Sequence, residues 1–366
     1  MLKKFDGRKI SIPLIAVLLG LVVGALVMLV FGYNPIWGYQ DILTGAFGSP
    51  RAIGEMIQTT GPLMLEALAF AVAMKAGLFN IGMSGQALAG WFFSIWFALS
   101  FPNLPKLLLI PLMIIVGMLA GSLMAAIPGV LKALLGTSEV IVTIMMNYVI
   151  VYFTTFLLYD VMSKSVISPQ GKDQTIAISN NASFRAGWLS SLTNNSSLNI
   201  GIFIAIIALV IMAIVFSKTT LGYEIKAVGL NPDASEYAGI SAKRTIILSM
   251  IIAGALAGLG GVVYGANYQG VGNFVSQSAS LDIGFNGMAV ALLGENSPVG
   301  IFFAAILFSI LQTGGPSMAQ DSIPPQIASI VTATIIFFIA IKFVIDKLLP
   351  AAKAKKMAEK AQEVTK

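Results

Sequence analysis

GYEIKAVGLNPDASEYAGISAKR, residues Gly222 to Arg244, is a polar island between two strongly apolar stretches, and its reading decides how the rest of the chain is threaded. Asn231 suits an N-cap, Pro232 the first helical position, and Asp233 the positive end of a helix dipole. Gly239 can close that helix in a left-handed conformation, and Ser241 can cap the helix that follows. The spacing predicts a helix of roughly two turns with Ala234, Tyr237 and Ala238 as a small apolar face. Two caps and a shaped face suit a docking element; a solvated loop with one turn of helix is the alternative.

Composition defines the surroundings. With 57% hydrophobic and only 10% charged residues, the chain reads as an all-α integral membrane protein whose apolar surface needs lipid as its solvent. It contains no cysteine and no histidine. Disulfides, thiolate chemistry, imidazole metal sites and histidine-dependent triads are therefore excluded, and neither a catalytic residue nor a metal site is expected. Neither G-x-x-x-x-G-K-[ST] nor a G-x-G-x-x-G after a strand is present, so the chain has no nucleotide loop of its own. No nucleic acid partner is expected.

Ten apolar segments are candidate spans: about 10–31, 61–74, 87–100, 107–126, 141–158, 200–216, 245–266, 285–293, 300–312 and 327–343. The first is long for a signal-peptide core and lacks an A-x-A-type cleavage site, so it reads as a retained span. Several others are too short to cross alone. They adjoin glycine-rich, polar-interrupted stretches, the pattern of broken helices sheltered inside a protein.

Basic residues orient the spans. Lys3, Lys4, Arg8 and Lys9, the central Lys218, Lys226, Lys243 and Arg244, and the lysines from Lys347 to Lys366 all read as cytoplasmic. An even count of spans must then lie on each side of the central loop, which six before it and four after it satisfy. Of the 22 Lys and Arg, only Arg51, Lys106, Lys164, Lys172 and Arg185 fall outside. The expected organisation is a cytoplasmic N-terminus at 1–9, a transmembrane domain at 10–347 and a basic cytoplasmic tail at 348–366. The domain carries an external loop at about 160–199 and a cytoplasmic loop at about 218–244. Asn-x-Ser triplets at Asn181, Asn194 and Asn195 lie in the external loop, where chance occurrence is the simpler account.

Polar side chains inside a membrane are costly and rarely idle. Three clusters stand out: Asn80, Ser84 and Gln86 in GLFNIGMSGQ; Glu139, Thr143 and Asn147, four apart in SEVIVTIMMNYV and so on one helix face; and Asn286 in GFNGMAVALLG. Asn80 and Ser84 share a face if their segment is helical. Side-chain amides both donate and accept, so they can read an uncharged heterocycle or sugar; each equally fits a helix-to-helix hydrogen bond. Glu66 is the one carboxylate well inside an apolar span, either a cation or proton site or a packing hydrogen bonder. The pairs Gly20/Gly24, Gly117/Gly121 and Gly254/Gly258 fit close helix packing.

GLFNIGMSGQ, GTSEVIVTIMMNY and above all YEIKAVGLNPDASEYAGISAKRTIILSMIIAGALAGLGG, in that order, resemble the permease subunits of bacterial ABC importers of the ribose, branched-chain amino acid and nucleoside type, nearest to the nucleoside permeases. The resemblance runs from about Gly61 to Phe343. It implies that Glu224, Lys226, Gly229, Asn231, Pro232, Ala234, Tyr237, Gly239 and Ile240 form the segment that contacts a cytoplasmic ATPase, which uses the ATP and magnesium. No cofactor is then held by this chain. It also implies a second permease subunit in a heterodimer, an external substrate-binding protein, a location in the bacterial plasma membrane, and a nucleoside pathway lined by Asn80, Ser84, Gln86, Thr143, Asn147 and Asn286. Many relatives carry an acidic residue where this chain has Ser84, which weakens any reading of substrate charge there. The implied fold has about ten helices in two blocks of opposite orientation, a weak inverted repeat echoed by LFNIGMSGQALAG and IGFNGMAVALLG. Permeases for simple sugars or branched-chain amino acids, and an ion-coupled secondary transporter, are the alternatives.

Overall fold

Every one of the ten apolar segments falls on a helix of the computed structural model, which describes residues 8–341. The helices are α1 (Arg8–Val30), α2 (Pro35–Phe47), α3 (Pro50–Lys75), α4 (Met83–Ser100), α5 (Lys106–Leu135), α6 (Glu139–Phe156) and α7 (Gly187–Leu192). After them come α8 (Gly201–Lys218), α9 (Thr220–Leu230), α10 (Pro232–Tyr237), α11 (Ala242–Gly265), α12 (Asp282–Leu293), α13 (Pro298–Gly314) and α14 (Gln326–Ile341). The residues before 8 and the basic tail at 348–366 lie outside the described residues.

Among the described residues, seven helices are long and apolar enough to cross a membrane: α1, α3, α5, α6 with its π-turn to Val161, α8, α11, and α13 with its 3-10 extension to Asp321. Helices α12 and α14 are apolar but shorter. Helix α4 carries Ser84, Gln86 and Ser94 among its buried residues, which lowers its hydropathy.

Three stretches are helical where no helix was expected, α2, α7 and α9, and α3 begins eleven residues before the expected span. The early start of α3 has a local cause. Ser49 accepts a hydrogen bond from the Ala52 N–H at 3.1 Å and Pro50 takes the first turn. The polar residues that hide this turn from hydropathy are then satisfied inside: Thr60 donates to Ser309 at 2.9 Å, and Gln58 Oε1 accepts from the Asn199 N–H at 3.1 Å. The expected external loop is likewise less free than its composition implies. Isolated bridges pair Ile167 with Thr175 and Gln174 with Val275, and the Ile178 N–H donates to the Gly272 carbonyl at 2.8 Å.

The chain divides into two compact units, one formed by residues up to Ile42 and from Gly315 onward, the other by Leu43–Gly314. In the first, Gly20 and Gly24 of α1 lie against Ile335 and Val331 of α14 with no room for a Cβ, and the Tyr39 hydroxyl donates to the Leu21 carbonyl. In the second, α11 packs against α5, α4 and α3. Gly90 of α4, Gly117 and Gly121 of α5, and Gly254 and Gly258 of α11 bring these backbones into contact, the close approach expected of small residues between membrane helices. Helix α3 also packs on α12, α13 and α8, and is the most deeply enclosed of the seven candidate spans.

Candidate functional site

The polar island folds as a pair of helices. Thr219 caps α9, accepting from the Gly222 N–H at 3.1 Å, and Asn231 caps α10, accepting from the Ala234 N–H at 3.0 Å. Pro232 opens α10, Gly239 takes a left-handed φ of +84°, and Ser241 accepts from the Arg244 N–H at 3.4 Å to start α11. The expected short helix therefore has its caps, and α9 precedes it.

Helix α9 is seated inward. Ile225 and Val228 are buried, Glu224 is half-buried, and Lys226 Nζ donates to the Phe216 carbonyl at the end of α8. Gly222 fits against the Val215 carbonyl, and Gly229 against the Lys75 carbonyl and the Gly77 nitrogen, so that a Cβ at either position would collide with backbone. Gly77 is itself left-handed, at φ +78°. The end of α9 thus touches the turn that opens GLFNIGMSGQ. Outward, Tyr223, Leu230, Ala234, Tyr237 and Ala238 are exposed, Tyr237 by 96%. Ser235 is the buried residue of α10, and Ile240 is half-buried. Exposed apolar side chains are thus gathered on a capped helix pair.

GLFNIGMSGQ is a helix break. After Gly77 the chain is non-helical until α4 starts at Met83, so Asn80 and Ser84 do not share a helix face. Asn80 and Gln86 exchange amide hydrogen bonds at 3.1 and 3.2 Å, and Asn80 Oδ1 also accepts from the Gly82 N–H at 3.0 Å. Asn147 reaches in from α6. Its Oδ1 accepts from the Gly85 N–H at 2.9 Å and its Nδ2 donates to the Ile81 carbonyl at 3.0 Å. Gly85 is at the third position of α4, so Asn147 caps α4 from another helix. Thr143, one turn earlier on α6, is buried beside Gly82 and donates to the Val140 carbonyl at 3.1 Å. Glu139, at the start of the same stripe, pairs with Lys132 at 2.8 Å across the turn from α5 to α6.

The other predicted residues sit elsewhere. Ser84 points away from the amides to α12, where Gly284 presses on its backbone and hydroxyl. Asn286 is half-buried on α12. Glu66 of α3 is fully buried between Gly260 of α11 and Gly287 of α12. The structure brings Asn80, Gln86, Thr143 and Asn147 together and sets Ser84 and Asn286 apart from them. Sequence reasoning missed the contact of Gly229 with Gly77 and that of Gly284 and Gly287 with Ser84 and Glu66. Only the glycines themselves signalled these contacts.

The chain matches the family described as branched-chain amino acid transport system / permease component over residues 52–340. It is 68% identical to a nucleoside ABC transporter permease protein of Lactococcus lactis subsp. cremoris, covering 96% of both chains. It is 42% identical to a guanosine ABC transporter permease protein of Bacillus subtilis, over 92% of this chain and 96% of that protein. It is 31% identical to a glucose ABC transporter permease protein of Haloferax volcanii, over 89% of this chain and 86% of that protein. No solved structure matches. The chain belongs to the branched-chain amino acid transport system permease family and is a multi-pass plasma-membrane permease subunit of an ABC transporter, a transport component and not an enzyme.

Proposed function

We propose that this subunit imports nucleosides by alternating access, with a separate ATPase supplying the energy. The relatives named for nucleoside and guanosine transport share 68% and 42% of their residues with it, against 31% for the one named for glucose. Substrate arrives on an external binding protein and passes between this chain and a second permease, the two forming a heterodimer. The termini and the α9–α10 pair face the cytoplasm, ten helices cross the membrane, and ATP with magnesium stays on the partner ATPase.

One observation carries the coupling: Gly229 of α9 rests on the α3 terminus at Lys75, Ala76 and Gly77. The ATPase seats on the outward face of Ala234, Tyr237 and Ala238, and a shift of the pair is delivered to that turn. Three residues later stand Asn80 and the amide cluster that fixes where α4 begins. A displacement of α9 is thereby delivered to the non-helical stretch that joins α3 to α4. Asn80, Ser84, Gln86, Thr143, Asn147 and Asn286 border the pathway, the amides shaping its wall.

The test is uptake of radiolabelled adenosine and guanosine into vesicles holding the complete transporter. Uptake should require ATP and persist when ion gradients are collapsed. Uptake by this chain alone, driven by a proton or sodium gradient, contradicts the reading.

A further inference from the structure

Asp282 opens α12, and its place in the bundle is unusual for a carboxylate. Gly284, two residues on, meets Ser84 in the first turn of α4, and Gly287 meets the Cβ of Glu66 inside α3. About 24 Å of helix, at 1.5 Å per residue, separates Ser84 from the end of α4 at Ser100. The first turn of α12 therefore lies well within the depth that these helices span. Asp282 is nevertheless exposed, and neither an ion pair nor a hydrogen bond holds its carboxylate among the described residues. Carboxylates at membrane depth turn to the bundle interior or to a water-filled cavity, because hydrocarbon leaves the charge unsolvated. Asp282 does not turn inward, so it marks the cavity side of α12.

Helical spacing divides α12 into two faces. Gly284 and Gly287 form its seat on α3 and α4, while Asp282 and Asn286, four residues apart, share the opposite side. Asn286 is half-buried, and its amide also lacks a hydrogen-bond partner among the described residues. An aromatic wall stands beside the carboxylate. Tyr264, near the end of α11, and Tyr268, just past it, are half-buried with ring centroids 5.5 Å apart. Trp91 backs both. It is fully buried, 5.4 and 4.6 Å from the two rings, and its Nε1 donates to the Asn273 carbonyl at 2.9 Å. The Asp282 carboxylate is near enough to Tyr264 for its charge to act on that side chain. Neither tyrosine hydroxyl is hydrogen-bonded among the described residues.

We propose that Asp282 receives the ribose hydroxyls of the nucleoside as it crosses, with Tyr264 and Tyr268 packing against its base. This rests on the nucleoside reading above. A carboxylate accepts a hydrogen bond on each oxygen, which suits the two neighbouring hydroxyls of a ribose. An aromatic face packs on any base, so the wall holds purines and pyrimidines alike. Asn286, which both donates and accepts, is left for the edge of the base.

In vesicles holding the complete transporter, uptake is compared for adenosine and 2′,3′-dideoxyadenosine at concentrations that saturate the external binding protein, so that the rate reads recognition inside the permease. The wild type should carry adenosine faster. Asp282→Ala should slow adenosine roughly tenfold and leave the dideoxynucleoside unchanged, since only the diol loses its acceptor. Tyr268→Leu should slow both by a similar factor, because both share the base. Equal slowing of the two substrates by Asp282→Ala overturns the proposal, being what a role in starting α12 alone produces. Wild-type rates in Asp282→Ala or in Tyr268→Leu overturn it as well. Accessibility supplies a separate arm. The chain has no cysteine, so Asp282→Cys gives it a single thiol, which should react with a charged methanethiosulfonate reagent and be slowed by adenosine. A thiol unreactive in every state would place this face against lipid or a second permease, and overturn the proposal. Should Asp282→Ala not assemble, the labelling decides. If the wild type carries glucose and no nucleoside, the nucleoside reading falls, and labelling with glucose as the protecting ligand still decides whether this face lines the path.

Discussion

The buried polar side chains of α3, α4 and the break between them are resolved in two opposite ways. Around Asn80, Gln86 and Asn147, amide groups are spent on one another and on the backbone of residues 81–85. At Ser84 and Glu66, the polar atoms are buried with no hydrogen-bond partner among the described residues. Satisfied amides fix a helix start that the chain cannot fix by itself, because the residue preceding α4 is Gly82, with no side chain to cap it. Unsatisfied buried groups cost stability and gain nothing locally.

The largest expected effect breaks the seat itself. Gly287→Leu must displace α12 or Glu66, since its Cβ alone collides with that residue. Uptake should fall to background. Next comes the cap. Asn147→Leu strands the Gly85 N–H and the Ile81 carbonyl in the interior, a cost of about 1–3 kcal/mol for each group left unpaired. Thermal unfolding of the purified subunit in detergent should show it as a clear drop in midpoint.

On the coupling surface, Ala234→Arg places a charge on the exposed face of α10 and should release the ATPase on co-purification, with the fold unchanged. Asn231→Ala removes one cap hydrogen bond; the cost is about 1 kcal/mol, so ATPase stimulation should be reduced but retained. The smallest effect belongs to Lys132→Ala. Its pair with Glu139 is partly exposed, at 32% and 16% for the two side chains, and such pairs contribute about 0.2–1 kcal/mol.

The membrane class, the helix caps at Asn231 and Ser241, and the stripe of Glu139, Thr143 and Asn147 were legible because each rests on a local rule: hydropathy, capping chemistry, helical spacing. Helix α9 was not, because Gly222 and Gly229 weaken a helical pattern in sequence, while in space they let it lie against Val215 and Lys75. The first turns of α3 were hidden for a related reason, since Gln58 and Thr60 look solvated until Asn199 and Ser309 come to meet them. The role of Asn147 was half legible. Its face could be read from spacing, but its partners lie more than sixty residues away, so capping in trans and lining a pathway looked alike. Glu66 and Ser84 could be seen as polar residues in a greasy setting; that Gly260 of α11 meets the one and Gly284 of α12 the other follows only from tertiary packing.

The central claim, that the satisfied amides hold the fold at the start of α4 while the unpartnered Glu66 carboxyl does not, is tested most directly by a crossed comparison of Asn147→Leu and Glu66→Leu. Each variant is measured for thermal midpoint in detergent and for nucleoside uptake per correctly assembled transporter. Asn147→Leu should lower the midpoint while the assembled fraction keeps a near-normal KM. Glu66→Leu should keep or raise the midpoint, since it removes an unpartnered buried carboxyl. The reverse pattern, a stable Asn147→Leu that cannot transport beside an unstable Glu66→Leu that can, would contradict the account.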